Sequence, residues 1–347
     1  MYDLKMKEKA NRFPIVCTIT VGTNERKWLT ECFRTLWQTS YAATHMIYVD
    51  NASSDGSRDL VSTLFPSVEI ISSPYNLGFA GANNLGIKRA IALKAPYIFL
   101  VNPDTRTGPN LICKLVEFMS HYPEYGIIGP LQLQYRSRGT PGSENTLNAW
   151  SEHALENGDR HVFHHWDPWR TSEAGPSEGR APGTLEHAYV QGAALFMRAG
   201  IFDKVPPFDE LYHTYYEEVD LCRRVRWAGF RVALLTDAFI EHWGGGHASG
   251  KSSDYRDYHM MRNKYLYLFS DPGYSIRDAI DLAWRWVLHD LREICEFKRN
   301  WRGNLIHFWR SLKWLAGHAK AVIARRRENC RLYALSRRNQ LSSASAR

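Results

Sequence analysis

Strand and helix patterns alternate over the first 102 residues, and this alternation restricts the fold more than any other feature of the chain. Apolar runs typical of buried strands occur at 14–21, 45–50, 68–73 and 97–102, and helical spacing occurs between them at 25–39, 53–65 and 81–94. Strands that alternate with helices form a mostly parallel sheet with helices on its faces. We therefore predict an α/β fold with a doubly wound sheet.

Polar residues follow three of the four predicted strands. They are Gly22 to Asn24 after the first strand, Asp50 and Asn51 after the second, and Asn102 and Asp104 after the fourth. Such residues are common in ordinary turns, so each group alone is a weak signal. Parallel sheets of this kind bind ligands at the carboxyl ends of their strands. The three groups together favour a nucleotide site at that edge.

Composition excludes several classes of protein. Of the 347 residues, 44% are hydrophobic and 13% aromatic, which favours a folded chain over a disordered one. No apolar run reaches the roughly 18 residues of a membrane-spanning helix, and the N-terminus lacks the pattern of a secretion signal. The six cysteines form no CxxC pair, which favours reduced thiols. We therefore expect a cytoplasmic protein.

The positive charge is concentrated in the C-terminal tail. Residues 275–347 carry 16 Lys and Arg against 6 Asp and Glu, a net charge of +10, which leaves −2 for residues 1–274. Two apolar stripes with helical period run through 276–294 and 305–322. These stripes either pack on the main domain or contact an anionic membrane surface. The acidic main domain and the absence of RNA-binding motifs argue against nucleic acid as a partner.

Six motifs occur in a recognisable order: VDNASSDGS, NLGFAGANN, LVNPD, QGAALFMR, YYEEVDLCRRVRWAGF and EHWGGGHAS. In this order the chain resembles family 2 of the inverting nucleotide-sugar glycosyltransferases, which have a GT-A fold, over roughly residues 14–270. It is most similar to bacterial rhamnosyltransferases of cell-surface polysaccharide synthesis. The resemblance implies a GT-A domain at 1–272 with an insertion at 136–188, followed by a basic helical tail at 273–347.

A divalent metal is the first implication of this resemblance. Asp104 occupies the family's metal position, with Asn102 in place of the usual first aspartate, and His242 matches a histidine that many relatives use as a second ligand. The departing nucleoside diphosphate is an anion, and a bound cation neutralises it. A carboxylate with an imidazole favours Mn²⁺ somewhat over Mg²⁺.

The resemblance also implies a donor site for a thymidine or uridine diphosphate sugar. In the family, the residue matching Asp50 accepts a hydrogen bond from the pyrimidine base. The other residues implied on the donor side, besides Asn102 and Asp104, are Thr20, Gly22, Asn24, Asn76, Gly78 and Asn83. Glycine in this loop would let the backbone come close to the diphosphate.

The catalytic base is implied to lie in YYEEVDLCRR. Glu218 falls on the base position, where aspartate is commoner, and Glu217 remains a second candidate. Gln191, Gly192 and Asp220 are placed on the acceptor side. An alternative is that these acids only offset the arginines one turn further along the helix.

The insertion is rich in Gly, Pro, Ser, His and Trp and shows no helical or strand period. Long connections of this type are often lids over an active site. We expect a flap in which Trp150, Trp166 or Trp169 stacks on sugar.

The expected activity is transfer of L-rhamnose from dTDP-rhamnose to a saccharide or lipid-linked saccharide with inversion, at the cytoplasmic face of a membrane. Two alternatives stay open. One is a donor of a different kind, a uridine diphosphate hexose or galactofuranose. The other is a catalytically inactive nucleotide-binding module that the tail holds at a membrane.

Overall fold

The structure of the chain is a computed structural model that describes residues 13–134, 147, 151–152, 181–243, 253–296 and 301–345. Most of the insertion at 136–188, including Trp150, Trp166 and Trp169, lies outside the described residues, so the predicted flap stays a prediction.

The N-terminal part confirms the alternation of strand and helix. Its elements are β1 (Val16–Gly22), α1 (Arg26–Trp37), β2 (Thr44–Asn51), α2 (Ser57–Leu64), β3 (Glu69–Ser73), α3 (Gly78–Ala92) and β4 (Tyr97–Val101). The second helix begins later than position 53 because the residues before it form a turn. There the Asp55 carboxylate accepts a hydrogen bond of 2.9 Å from the backbone N–H of Ser57.

The second part of the domain is less regular. It contains β5 (Thr105–Thr107), α4 (Leu111–His121), β6 (Tyr125–Gln134), β7 (Thr184–Glu186), β8 (Ala194–Arg198), a 3₁₀ turn (Ala199–Asp203), α5 (Glu217–Trp227) and β9 (Arg231–His242). Four helices follow: α6 (Ser253–Ser270), α7 (Ile276–Glu296), α8 (Trp301–Gly317) and α9 (Ala319–Ser345).

All nine strands belong to one mixed sheet of order β3-β2-β1-β4-β8-β6-β9-β5, and β7 pairs with β9. The strands β3, β2, β1 and β4 are parallel. In contrast, β8 runs antiparallel to both β4 and β6, and β5 runs antiparallel to β9. The architecture is the predicted α/β GT-A-like sheet flanked by helices.

Successive strand residues supply the two faces of the sheet. In β4, Tyr97 and Phe99 are buried in the apolar layer that includes α1 and α4, whereas Ile98 and Leu100 are buried in the layer that includes α3 and α5. Successive side chains of a strand point to opposite faces, so a central strand covered on both sides is apolar throughout. This explains why the strand runs in the sequence are continuous rather than alternating.

Antiparallel pairing brings distant segments together at one edge of this sheet. Val101 at the end of β4 pairs with Ala194, and the backbone N–H of Asn102 donates to the carbonyl of Ala193 at 2.9 Å. On the other side, Thr105 pairs with His242 at the end of β9. The residues around position 103 therefore lie between β8 and β9.

The C-terminal helices pack on the domain and on one another. Arg325 of α9 pairs with buried Asp209 at 2.6 Å, and the Asn329 side chain donates to the carbonyl of Ser270 at 2.9 Å. Phe308 and Val322 are also buried, so the packing interpretation holds for part of the second stripe. None of the helices within the described ranges is long and apolar enough to cross a membrane.

Candidate active site

A cavity of about 370 Å³ opens at the carboxyl ends of β1, β2 and β4, and we call it the central cavity. Nine of the predicted site residues line it: Asn76, Gly78, Asn102, Asp104, Gln191, Gly192, Glu217, Glu218 and His242. They come from five separate parts of the sequence. We call residues 76–80 the donor loop. The fold thus places the donor loop, the predicted metal residues and both candidate bases around one cavity.

Asp104 and His242 are held side by side by the pairing of β5 with β9. The His242 Nε2 atom lies 3.3 Å from the Asp104 Oδ1 atom, and the backbone N–H of Trp243 donates to the Asp104 carbonyl at 3.1 Å. On its other side, the imidazole Nδ1 lies 2.9 Å from the Oε1 atom of Gln132, which is buried in β6. An amide oxygen can only accept, so the neutral imidazole tautomer that suits this contact donates from Nδ1 and has its Nε2 lone pair on the side of Asp104.

This arrangement fits a metal ion. In that tautomer, Nε2 and a carboxylate oxygen of Asp104 lie 3.3 Å apart, and one cation beside them would bind both atoms. A second partner that orients the ligating histidine, as Gln132 does, is usual at metal sites. Among the described residues, no cluster of three or more His, Cys, Asp and Glu side chains forms a metal site. Asp104 and His242 would therefore supply two ligands, and a bound ligand or water the others.

Asn51 connects two loops on the donor side of the central cavity by hydrogen bonds. Its side-chain amide donates to Thr23 Oγ1 at 3.1 Å and to Asn76 Oδ1 at 3.0 Å, and its Oδ1 atom accepts from the backbone N–H of Leu77 at 2.8 Å. Asn76 Oδ1 in turn accepts from the N–H of Gly78 at 2.8 Å. One buried asparagine therefore fixes the loop after β1 against the loop before α3.

Five of the predicted donor-side residues lie outside the lining of the central cavity. Thr20 is buried in β1, Gly22 packs against Tyr48, Asn24 binds the turn at Ser53 and Ser54, Asp50 accepts from the N–H of Ser53, and Asn83 donates to the carbonyl of Phe79. Asp50 and Gly22 are partners across β1 and β2, so they lie at the same edge as the cavity. Asn83 points into the helix instead, because its amide serves a carbonyl one turn earlier.

Asp220 does not reach the cavity. Its two oxygens bind Arg223 at 2.6 Å and Arg224 at 2.7 Å, and all three side chains are buried. Burial would raise the pKa of Asp220, but Arg224 and Arg223 outweigh it and hold the pKa below its ordinary value. The charge-offset interpretation therefore describes the contacts of Asp220, and its role on the acceptor side stays a prediction. Asp220 is three residues from Glu217 and a neighbour of it on the helix surface, but its carboxylate is bound by the two arginines and does not line the cavity.

The two glutamates remain in the cavity wall without such partners. One carboxylate oxygen of each, Oε2 of Glu217 and Oε2 of Glu218, is buried with no hydrogen-bond partner among the described residues. The same holds for the Oε1 atom of Gln191. Buried oxygens of this kind are costly unless a ligand or water satisfies them. Three such atoms in one wall mark a place where donors, such as sugar hydroxyls, could bind.

Glycine at position 192 leaves room for Glu218. A Cβ atom added to Gly192 would lie 3.3 Å from the ring of Phe79 and 4.0 Å from the carboxyl carbon of Glu218. Any larger side chain would fill this space, so the glycine keeps the carboxylate open to the cavity.

Burial changes the acidity of both glutamates in the same direction. Burial raises the pKa of Glu217 well above its ordinary value, and the charge of Glu218 raises it further. Burial also raises the pKa of Glu218, but the backbone N–H groups of Glu218, Gly192 and Val219 oppose the shift. Amides at a helix N-terminus stabilise a carboxylate. Both carboxyl groups therefore keep a proton to higher pH than a free glutamate does.

Several residues of this site were not predicted from the sequence. Tyr255 and Arg256 of α6 line the cavity, and no motif in their segment indicated it. Gln132 could have been noticed as a polar residue inside the apolar strand run GPLQLQ. Asn51 lies in the motif VDNASSDGS, and an asparagine at this position is also typical of an ordinary turn.

A sheet of this topology with an acidic and histidine-bearing cavity at its carboxyl edge defines a GT-A-type nucleotide-sugar transferase. The family model for glycosyl transferase family 2 matches residues 17–199, and the chain belongs to that family. It is therefore a nucleotide-sugar-dependent glycosyltransferase.

Two curated relatives are similar to the chain. An N-acetylglucosaminyl-diphospho-decaprenol L-rhamnosyltransferase of Mycobacterium tuberculosis is 28% identical over 251 residues, which are 69% of this chain and 78% of the relative. A galactofuranosyltransferase of Mycolicibacterium smegmatis is 26% identical over 283 residues, which are 78% of this chain and 87% of the relative.

Two solved structures share the fold. A mannosyltransferase from Pyrobaculum calidifontis, in complex with GDP-Man and Mn²⁺, superposes with a TM-score of 0.51 at 13% identity and covers 96% of this chain and 91% of its own. TarS of S. aureus, in complex with UDP-GlcNAc, gives 0.51 at 14% identity with coverage of 94% and 92%. At such identities the likeness concerns the fold.

The raised pKa of Glu217 predicts a pH-dependent cost to stability. Below the unfolded-state pKa of glutamate this residue is protonated in both states and costs nothing, and the cost grows as pH rises toward its folded-state pKa. We expect Glu217→Gln to raise the melting temperature at neutral pH, with the difference disappearing in acid. Thermal unfolding followed by circular dichroism at a series of pH values measures this.

Asp220→Asn is the matched comparison on the same helix, and it has the opposite sign. The pKa of Asp220 is lowered in the folded state, so its contribution is present above the unfolded-state pKa and is lost as pH falls through the folded-state pKa. The variant should unfold at a lower temperature at neutral pH. If Glu217→Gln also lowered the melting temperature at neutral pH, the view of Glu217 as a destabilising buried acid would be wrong.

Proposed function

We propose that the chain transfers a deoxysugar, L-rhamnose, from its thymidine diphosphate to a saccharide or lipid-linked saccharide with inversion at the anomeric carbon. The observation that carries the proposal is that one cavity is lined both by the Asp104 and His242 pair and by Glu218, whose buried Oε2 atom has no hydrogen-bond partner among the described residues. Inverting transfer requires a site for the departing diphosphate and a base for the incoming hydroxyl in one space.

Glu218 is the proposed general base. The acceptor hydroxyl oxygen attacks the anomeric carbon, its proton moves to the Glu218 carboxylate, and the bond from that carbon to the diphosphate oxygen breaks. The electron pair of that bond leaves with the nucleoside diphosphate, so no acid is needed on the leaving side. Glu217 is the second candidate and lies next to it on α5.

Asp104 and His242 are the proposed metal ligands, and Mn²⁺ suits this carboxylate and imidazole pair better than Mg²⁺ does. The cation would neutralise charge on the diphosphate as it departs. The related mannosyltransferase structure contains Mn²⁺. Gln132 would keep the imidazole turned toward that position through its 2.9 Å contact.

We propose that the donor binds to the loops at the carboxyl edge of the parallel strands. Asn76 and Gly78 line the cavity beside the expected diphosphate, and Asp50 would accept a hydrogen bond from the base at the end of β2. Gln191 and Gly192 also line the cavity, Gly192 next to Glu218, and we assign both to the acceptor side. The rhamnosyl choice is supported by the name of the mycobacterial relative. The galactofuranosyl name of the second relative supports the alternative, a uridine diphosphate hexose or galactofuranose.

Glu218→Gln tests the base. We expect kcat to fall by about 10²–10⁴-fold, the usual contribution of a positioned base, because glutamine cannot take the proton. Binding of the nucleoside diphosphate, measured by calorimetry, should remain within about twofold because the base touches the acceptor. Activity is measured as release of nucleoside diphosphate from a panel of thymidine and uridine diphosphate sugars with saccharide and lipid-linked acceptors.

Glu217→Gln is the control variant in that assay, since it removes the neighbouring acid and leaves Glu218 in place. A larger loss in Glu217→Gln than in Glu218→Gln would transfer the role of base to Glu217. A parent protein that binds nucleotide but turns over no donor of the panel would support the inactive-module alternative. Turnover of uridine diphosphate galactofuranose alone would select the second donor.

Removal of the metal should abolish activity, and direct binding locates the ion. We expect Asp104→Asn and His242→Ala to weaken Mn²⁺ binding in the presence of nucleoside diphosphate by more than about tenfold, and Gln132→Leu by about 10–100-fold, as second partners of ligating histidines do. Electron paramagnetic resonance of Mn²⁺ measures free and bound ion without any turnover. His121→Ala, on the exposed end of α4, is the control, and an equal effect there would contradict the assignment.

We further propose that the exposed face of α7 contacts an anionic membrane surface. Ile276, Ile280, Trp284 and Leu288 follow one another at four-residue spacing and are 60%, 56%, 59% and 52% exposed, whereas Ala279, Ala283 and Trp286 on the other face are buried. Residues 297–347 add 13 Lys and Arg against one Glu. Apolar side chains with tryptophan and nearby positive charge suit a bilayer interface.

The membrane contact is tested with vesicles of phosphatidylcholine and phosphatidylglycerol. Trp284→Ser with Leu288→Ser should weaken cosedimentation by at least about tenfold, because each large apolar side chain removed from water contributes about 1.5–3 kcal/mol. Raised salt should weaken binding as well. Trp37→Ser changes a tryptophan of equal exposure on α1 and should have no effect. An equal loss in this control, or no binding by the parent, would exclude this surface.

A further inference from the structure

The backbone directly before the two glutamates adopts an unfavourable conformation. His213, Tyr215 and Tyr216 have positive φ angles of 62°, 66° and 74°, and none of them is glycine. Bulky residues rarely adopt this left-handed region, and it persists only where the surroundings enforce it. We call residues 213–216 the left-handed segment. Glu217 begins α5 immediately after it.

One buried side chain of α6 holds this segment. The Nδ2 amide of Asn263 donates to the carbonyl oxygens of Tyr212, Thr214 and Tyr215 at 2.9, 2.7 and 2.6 Å. Asn263 is completely buried. Two N–H bonds thus serve three carbonyls, which converge on one point because the chain between them turns through left-handed residues. Without the amide, the carbonyls of Thr214 and Tyr215 would lose this hydrogen bond, whereas that of Tyr212 would keep the Thr214 backbone N–H as a donor.

Arg262, the preceding residue, fixes the orientation of that amide. Its Nε–H donates to the Oδ1 atom of Asn263 at 2.7 Å, which leaves the Nδ2 group to face the carbonyls. Its Nη2 atom donates to the carbonyls of Leu211, at 3.0 Å, and Tyr212. The guanidinium also lies 4.4 Å from the ring centre of Trp314 in α8. We call Asn263 and Arg262, with their hydrogen bonds to the left-handed segment, the clamp. Through Trp314 the clamp also contacts the C-terminal helices.

The donor loop contacts the left-handed segment from the other side. The backbone N–H of Ala80 donates to the carbonyl of His213 at 3.1 Å. A Cβ atom added to Gly78 would lie only 2.4 Å from the His213 carbonyl oxygen and from its Nδ1 atom. Gly78 itself has a φ of 73°, which glycine adopts without strain. The segment is thus enclosed between the loop that begins α3 and the side chains of α6.

We propose that Asn263 is a positioning residue for the carboxylate base, and that Arg262 supports it. Asn263 does not line the central cavity, and it acts by holding the left-handed segment so that α5 starts with Glu217 and Glu218 in the cavity wall. The inference rests on the proposed glycosyl transfer. A displacement of about 1 Å in a reacting group can lower a rate 10²-fold, so loss of the clamp has a measurable effect.

Asn263→Leu removes the amide at nearly constant volume, and Asn329→Leu is the matched control. Asn329 is equally buried, and its amide donates to a carbonyl at the far end of α6. We expect Asn263→Leu to lower kcat by about 10–100-fold with the donor KM within about twofold, and Asn329→Leu to leave kcat within about twofold. The acid limb of the kcat profile should move to lower pH only in Asn263→Leu, because a less buried base ionises more easily.

Hydrogen exchange of the ligand-free protein tests the clamp without any activity. Amides of residues 213–219 should exchange faster in Asn263→Leu and at the parent rate in Asn329→Leu. If the parent transfers no sugar, exchange still decides whether the clamp exists, so failure of the clamp and failure of the proposed function are distinguishable.

An unchanged kcat in Asn263→Leu, or the same loss in both variants, would overturn the role of Asn263. If Asn263→Leu does not fold, Asn263→Gln keeps the amide but shifts it by one methylene, and it should change kcat and exchange in the same directions. Parent-like values of both quantities in a folded Asn263→Gln variant would count against the proposal.

Discussion

The antiparallel insertion of β8 between β4 and β6 is the constraint on which the rest of the site depends. β8 pairs with β4, although the two strands are more than 90 residues apart in sequence. This pairing places Ala193 next to Asn102, whose backbone N–H donates to the Ala193 carbonyl at 2.9 Å. The residues before β8 and after β4 are thereby fixed in one wall. The pairing of β5 with β9 then adds His242 to the same wall. Backbone ladders thus determine how Asn102, Ala193 and His242 meet, whereas Glu217 and Glu218 come from the start of helix α5.

Helix α5 shows how three neighbouring acids acquire different properties. Asp220 turns toward Arg223 and Arg224 and becomes part of a buried ionic cluster, whereas Glu217 and Glu218 turn toward the cavity and have no arginine of their own helix beside them. Their partners separate them rather than the helical period, because Glu217 and Asp220 are three residues apart and therefore neighbours on the helix surface. A carboxylate with two arginines is a stable anion, and one without them is available to exchange a proton.

Local patterns were enough to predict the fold and the segments that form the site. The strand runs are apolar throughout because both faces of each strand are covered, and the motif order identified the cavity residues such as Asp104 and His242. The contacts of individual side chains depend on packing and could not be predicted in this way. Asp220 stands in the same motif as the glutamates, and its pairing with Arg223 and Arg224 is seen only in the structure. Asn263 carries no local signal and Gln132 only that of a polar residue in an apolar run, because their partners lie about 50 and 110 positions away.

Arg326 has a consequence for how the whole enzyme can be oriented. Its guanidinium donates to the carbonyls of Phe269, Asp271 and Tyr274, so α9 holds the turn between α6 and α7. The same α6 carries Tyr255 and Arg256 at the cavity mouth. If α7 rests on a lipid surface, this rigid connection would set one height and one tilt for the opening above the headgroups. The length of the carrier between the membrane and the acceptor sugar would then determine which hydroxyls of that sugar can reach the cavity.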